Sequence, residues 1–460
     1  MNNQSQVTFE SGVGTVTGAN FLVKAPAGAQ ILIDCGLVQG EKMAEDANRE
    51  PFPYNPADIQ ALIITHAHLD HVGRIPILVR QGFRGRIYST TPTRELAELV
   101  LNDAVGLMAN EAKQEGKEPL YSQNDVDRIW SSWQSLSYHQ ETVVAPEISV
   151  MLKDAGHILG SAMAQVTLGQ GDAARKILFS GDLGNSPHPL LCDTETPDGL
   201  DYLVMESTYG DRNHDPHDER VASLKRVVLE TLARGGTLVI PSFAIDRTQV
   251  LLYELNQLVE KGAIPKVPVF VDSPMAIKAT EVYRRYEGLF NESVRSQIRS
   301  GDDPFNFAKL EYTMSQGESR DIERMHGAKI ILAGSGMSVG GRVIAHEEHY
   351  LPDARNTLLL VGYQAAGSLG RELAEGARSV RIHGRTVSVK AKIETIYGFS
   401  GHKDADHLAA FAAAAASPRL RQIFVVMGEP SASTHLAQRL NAELTVEALV
   451  PERGIVYKLV

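Results

Sequence analysis

The residues best equipped for chemistry occupy six consecutive positions, His66-Ala67-His68-Leu69-Asp70-His71. Imidazole and carboxylate suit zinc, which takes such ligands at about 2.0–2.2 Å. His66 and His68 alternate along a short loop and can grip one metal, while Asp70 and His71 turn toward a second. A lone histidine is more often a core or surface residue. Three histidines and an aspartate, directly behind an apolar strand, point instead to a metal-dependent hydrolase.

Other polar residues stand at comparable places. The short apolar strand Ile31-Leu32-Ile33 runs into Asp34, and Ala61-Leu62-Ile63-Ile64 into Thr65-His66. Ile177-Leu178-Phe179 leads through Ser180-Gly181 to Asp182, and Tyr202-Leu203-Val204-Met205 ends at Glu206. Loops at the C-terminal ends of strands are where α/β layers assemble sites, so these ends converging on one rim would collect the side chains. The first part reads as alternating strands and loops, Val13 to Val23 being rich in Gly, Val and Thr, and Ile423-Phe424-Val425-Val426 is a last buried strand. Helical spacing covers Thr93 to Met108, and another helix begins near Asn124 or Asp125 as its cap. From about residue 210 to 385 strands and helices alternate, with helices Arg220 to Ala233 and Arg247 to Glu260 and strands Thr237 to Ile240, Val267 to Val271 and Lys329 to Leu332. This is the pattern of parallel strands with crossover helices.

A length of 460 residues favours two domains, or one domain with a large insertion. The composition is that of a soluble globular chain, and no apolar run approaches the roughly 20 residues that span a bilayer. The N-terminus has no signal-peptide pattern, and two cysteines, Cys35 and Cys192, make no disulfide framework; a reducing cytoplasm is the expected location. A net charge of −11 argues against a generic coat for polyanions. It leaves nucleic acid open as a substrate, because metal offsets charge locally. Arg371, Arg378, Arg381, Arg385, Lys390 and Lys392 form a basic stretch, readable either as a solvated face or as a phosphate contact.

Taken together, the chemical residues resemble the metallo-β-lactamase superfamily. The resemblance is carried by His66-x-His68-x-Asp70-His71, by Asp34 before it, and by Gly156-His157 and Ser180-Gly181-Asp182 after it. Downstream, Glu206-Ser207-Thr208-Tyr209-Gly210, Pro241-Ser242-Phe243-Ala244 with Arg247-Thr248-Gln249, and Asp272-Ser273-Pro274-Met275 are similar to its β-CASP subfamily. So are Gly334-Ser335-Gly336-Met337, Gly362-Tyr363-Gln364 and Phe399-Ser400-Gly401-His402. The resemblance implies an α/β fold, a metallo-β-lactamase αββα sandwich (1–209 and 386–460) with an inserted β-CASP domain (210–385). It also implies a nuclease that hydrolyses phosphodiester bonds of single-stranded RNA by attack of a metal-bound hydroxide, leaving a 5′-phosphate.

Carried over residue by residue, it implies that His66, His68 and His157 hold one zinc, Asp70 and His71 the other, with Asp182 bridging. Asp34 would orient the histidine loop, and Glu206 would raise the basicity of His402 so that it protonates the leaving oxygen. Arg247, Ser335 and Ser338 are candidate substrate contacts, the glycine turn from Gly334 offering backbone amides to a phosphate.

One position departs from the subfamily. After Ile423 to Val426, where the pattern has a histidine ligand, the chain reads Met427-Gly428-Glu429. A neutral thioether favours copper(I) over zinc. The expectation is one tight zinc and a weak second metal, with manganese as an alternative. His435 is a poor substitute because it falls on a helix. A DNA nuclease and an inactive RNA-processing scaffold stay open as alternatives, as does a homodimer. His214, His217, His346 and His349 read as solvated surface, and Trp130 and Trp133 as packing.

Overall fold

The computed structural model describes residues 4–39, 42–365 and 367–460. Two compact units emerge, one formed by Met1–Asn213 with His402–Val460, the other by His214–Gly401.

The first unit is built on two seven-stranded sheets. In one, Val456–Leu459, Ser5–Ser11, Asn20–Lys24, Gln30–Ile33, Ala61–Ile63, Arg86–Ser89 and Trp133–Ser135 lie side by side. In the other the order is Glu447–Leu449, Gln422–Val426, Tyr202–Glu206, Arg175–Phe179, Ala162–Leu168, Ile148–Asp154 and Thr142–Ala145. Successive side chains of a strand point to opposite faces, and a strand covered on both faces is apolar throughout. The central strands obey this rule. Ile31, Ile33, Ile177, Phe179, Val204, Phe424 and Val426 share one core between the sheets. Their neighbours Leu178, Leu203, Met205, Ile423 and Val425 join a second core on the outer face, under the helices Ala405–Ala415 and Pro430–Glu443. The layering is αββα.

The second unit carries a six-stranded parallel sheet, ordered Leu310–Tyr312, Val269–Asp272, Lys329–Ala333, Thr237–Pro241, Thr357–Val361 and Lys392–Ile396. Its helices include His217–Ala233, Arg247–Glu260 and Val343–Tyr350. Parallel strands bury both faces, which is why Lys329–Ala333 and Thr357–Val361 are buried at every residue.

Gly12 to Ala19 is a loop between antiparallel strands, and Asn20–Lys24 is extended. Two local expectations are corrected. The helix Gln123–Asp127 is capped by Ser122, whose hydroxyl and backbone amide both donate to Asp125. His346 is fully buried rather than solvated, its Nε2 2.7 Å from Asp272 Oδ2. The amphipathic pattern of its short helix is too weak to distinguish the two faces. Trp133 is buried as expected, with its indole nitrogen donating to Ser89.

Candidate metal centre

The site grows from strand ends in the first unit. Ile33 pairs in parallel with Ile63, where both strands end, and Phe179 with Val204, two residues before Glu206 ends its strand. After Ala61–Ile63 the chain passes Thr65 and His66, and His68 caps the four-residue helix Leu69–Val72. Backbone bonds anchor that turn. Asp70 O accepts from Ala19 N and His71 O accepts from Cys35 N. Gly36 permits the approach, since a Cβ there would lie 1.5 Å from Asp70 O.

His66 Nε2, His68 Nδ1, His157 Nε2 and Asp182 Oδ2 form a tight group. His66 and His68 stand 3.1 Å apart and His157 and His68 3.3 Å. The Asp182 oxygen lies 3.3 Å from His66 and 3.6 Å from His157. Ligands at about 2.0–2.2 Å from a tetrahedral ion are separated by about 3.3–3.6 Å, which matches this group. The second group is looser. His71 Nε2 lies 3.3 Å from Asp182 Oδ1 and 3.9 Å from Asp70 Oδ2. Both His71 Nε2 and Asp182 Oδ1 are buried without a hydrogen-bond partner. Orphaned buried acceptors and donors are costly, and a cation between them would satisfy both. The donors present therefore fit a metal.

Electrostatics agree. Burial, helped by neighbouring imidazoles, pushes His66 and His68 well below the usual histidine range, keeping them neutral and able to ligate. Burial pushes Asp70 up to about 6. His71 goes the other way: burial disfavours its charge, but Asp182 and Asp34 outweigh it.

Asp34 holds the histidine loop from behind. One oxygen lies 2.7 Å from His71 Nδ1 and accepts the Thr65 hydroxyl at 2.8 Å; the other accepts Thr65 N at 2.8 Å. This fixes the ring so that Nε2 faces Asp182. The sequence reading missed Thr65; its place between a buried strand and His66 was the available signal. Glu206, fully buried, accepts Leu183 N at 2.7 Å and faces His402 Nδ1 at 3.0 Å. Burial opposes charge on His402, but Glu206 and Asp182 raise it to about 9. Lys403, also missed, donates to Gly184 O and Ser186, tying the loop after Asp182 to the His402 segment.

Met427 has φ 50° and lies in the apolar core between the sheets. Its sulfur sits beside Gly12, whose carbonyl accepts Met427 N at 2.8 Å. It lines a small cavity together with Asp34 and His71. His435 is on the helix Pro430–Glu443 and exposed.

The candidate substrate contacts lie in the second unit and are engaged internally. Arg247 is buried and donates to Val361 O at 2.7 Å. Ser338 is buried and bonds Glu347, and Ser335 accepts Val339 N. In the basic stretch, Arg371 pairs with Glu375, Arg385 with Glu348, and Lys392 with Glu230 and Glu394. The three cations keep 43–80% of their side-chain surface exposed. Among the described residues no helix is long and apolar enough to cross a membrane.

Comparison with known proteins agrees with this geometry. Residues 22–182 match the metallo-beta-lactamase superfamily domain, 248–373 the Beta-Casp domain, and 386–451 the Zn-dependent metallo-hydrolase RNA specificity domain. Ribonuclease TTHA0252 of Thermus thermophilus is 39% identical over 85% of this chain and 87% of its own length. Transcription termination factor FttA of Methanosarcina mazei is 32% identical over 96% of this chain and 70% of its own. A crystal structure of a protein of unknown function from Enterococcus faecalis V583 superposes with a TM-score of 0.56, covering 99% of this chain and 100% of that one. At 15% identity it shows the fold alone. On its strand-end histidines, its inserted parallel sheet and these relatives, the chain belongs to the β-CASP family of the metallo-β-lactamase superfamily.

Proposed function

We propose that this protein is a metal-dependent ribonuclease that hydrolyses phosphodiester bonds of single-stranded RNA, with one tightly held zinc and a weaker second metal. The observation that carries this is the mutual spacing of His66, His68, His157 and Asp182, all four suited to one tetrahedral ion. The ribonuclease among the relatives and the match to an RNA specificity domain support RNA as the substrate. His66, His68 and His157 would hold the first ion, Asp70 and His71 the second, and Asp182 one oxygen of each. Bound there, the metal supplies a Lewis acid for the phosphodiester and acidifies water for in-line attack.

The chain's own residues do the rest. Asp34 and Thr65 lock His71, so its Nε2 needs no reorientation. Glu206 occupies His402 Nδ1, which leaves the Nε2 proton as the one to pass to the leaving oxygen. With Met427 in the core, a second ion would be held by Asp70, His71 and Asp182, so after dialysis about one zinc per chain should remain. Labelled RNA and DNA incubated with dialysed and zinc- or manganese-supplemented protein test the proposal, alongside metal analysis. RNA cleavage lost in His68→Ala supports it. Preference for DNA, cleavage of neither, or two zincs retained per chain each removes part of it.

A further inference from the structure

Two of the most exposed aromatic rings of the second unit follow nearby parallel strands. Phe243 comes just after Thr237–Pro241 and is 40% exposed; Tyr397 comes just after Lys392–Ile396 and is 54% exposed. The strand Thr357–Val361 runs between them. Short contacts link the two: Phe243 packs on Gly336, Gln364 Nε2 donates to Gly336 O at 3.1 Å, and Gly362, two residues before Gln364, lies beside the residue preceding Tyr397. Gly362 N donating to Ile396 O at 3.1 Å extends the ladder to this point.

The Phe243 ring packs against a glycine turn. A Cβ on Gly336 would lie 2.7 Å from ring atom Cδ2, so one side of the ring rests on the Gly334–Gly336 turn while the rest meets solvent. Arg371, half-exposed, is ion-paired with Glu375 at 2.6 Å, and the phenols of Tyr363 and Tyr397 also act on its charge.

We infer that Phe243 and Tyr397, with Arg371 beside Tyr397, form a stacking platform for the bases of single-stranded RNA. This rests on the ribonuclease reading. Bases stack on aromatic faces whatever their identity, and a guanidinium at the same edge meets the phosphates. Discrete exposed rings bordered by a cation suit a chain of alternating bases and phosphates. A protein partner would call for a continuous apolar patch. A pre-set ring also loses little freedom on binding.

Fluorescence anisotropy of a labelled single-stranded oligoribonucleotide, with metal chelated so that nothing is cleaved, tests the platform on the full chain. Tyr397→Ala and Phe243→Ala should each weaken binding about tenfold, and Tyr397→Phe should bind as wild type. An abasic oligomer of the same length should bind all variants alike. Alanine variants within about twofold of wild type on normal RNA overturn the inference, as do equal losses on normal and abasic RNA. Base-dependent binding by a wild type that cleaves no RNA would sink the ribonuclease reading and leave the platform standing. A wild type that binds no RNA removes the platform.

Discussion

His66, His68 and His157 close around one oxygen of Asp182 with donor spacings of 3.1–3.6 Å. On its other side, His71 stands 3.3 Å from Asp182 and 3.9 Å from Asp70, and the fourth place in the sequence pattern is taken by a methionine buried in the core. Both groups draw on strand ends of both sheets. They differ in what the last strand delivers: Gln422–Val426 ends in an apolar side chain, and that side chain follows the strand's inner face into the core. The first group thus offers four side-chain donors to one ion, while a second ion would find three and would need solvent to fill its shell. The lesson is that a shared carboxylate does not make two sites equal.

The largest effect should come from the complete group. His68→Ala or His157→Ala should lower RNA hydrolysis by on the order of a thousandfold and abolish retained metal, measured by initial rates and elemental analysis. Asp70→Ala should spare the retained metal while still impairing hydrolysis; loss of all metal in that variant would erase the distinction between the groups.

Next comes His402. His402→Ala should cost about 10²–10⁴-fold in kcat with metal content unchanged. Its protonation is measurable in the metal-free protein by NMR. With a folded value near 9, above the ordinary histidine value, the ion pair with Glu206 stabilises the fold fully below about pH 6.5 and is lost as pH rises through 9. Glu206→Gln should bring the titration down by more than one unit; an unchanged midpoint would assign the shift elsewhere.

Asp34→Asn should weaken the second metal about 10- to 100-fold by freeing the His71 ring, and leave the first metal nearly untouched. Competitive titration with a chelator reads both steps. The smallest effect is also the sharpest test of the comparison. Met427→His should raise retained zinc from about one toward two per chain at a stability cost of about 1–3 kcal/mol, because an imidazole replaces a thioether in an apolar core. Unchanged stoichiometry would mean that the backbone at φ 50° sends this side chain to the core whatever its type.

Much of the site was legible in the sequence because its ligands are strand-end residues, and apolar runs four or five residues long announce such strands. His66 to His71, Asp182 and Glu206 follow that rule, and the structure brings them within 4.8 Å as candidate ligand groups. Arg247 and Ser338 were less legible. Their inward partners, Val361 for Arg247 and Glu347 for Ser338, are set by how the second unit folds rather than by local pattern. His346 misled for the same reason, its partner Asp272 lying on another strand.

The sequence by itself determined the ligand types, their order and the layered α/β class, since hydrophobic period and donor chemistry are local properties. Tertiary structure alone decided which nitrogen of each imidazole points inward, that Thr65 and Lys403 brace the site, and that Met427 belongs to the core. Those depend on distances between segments far apart in the chain, which no local spacing encodes.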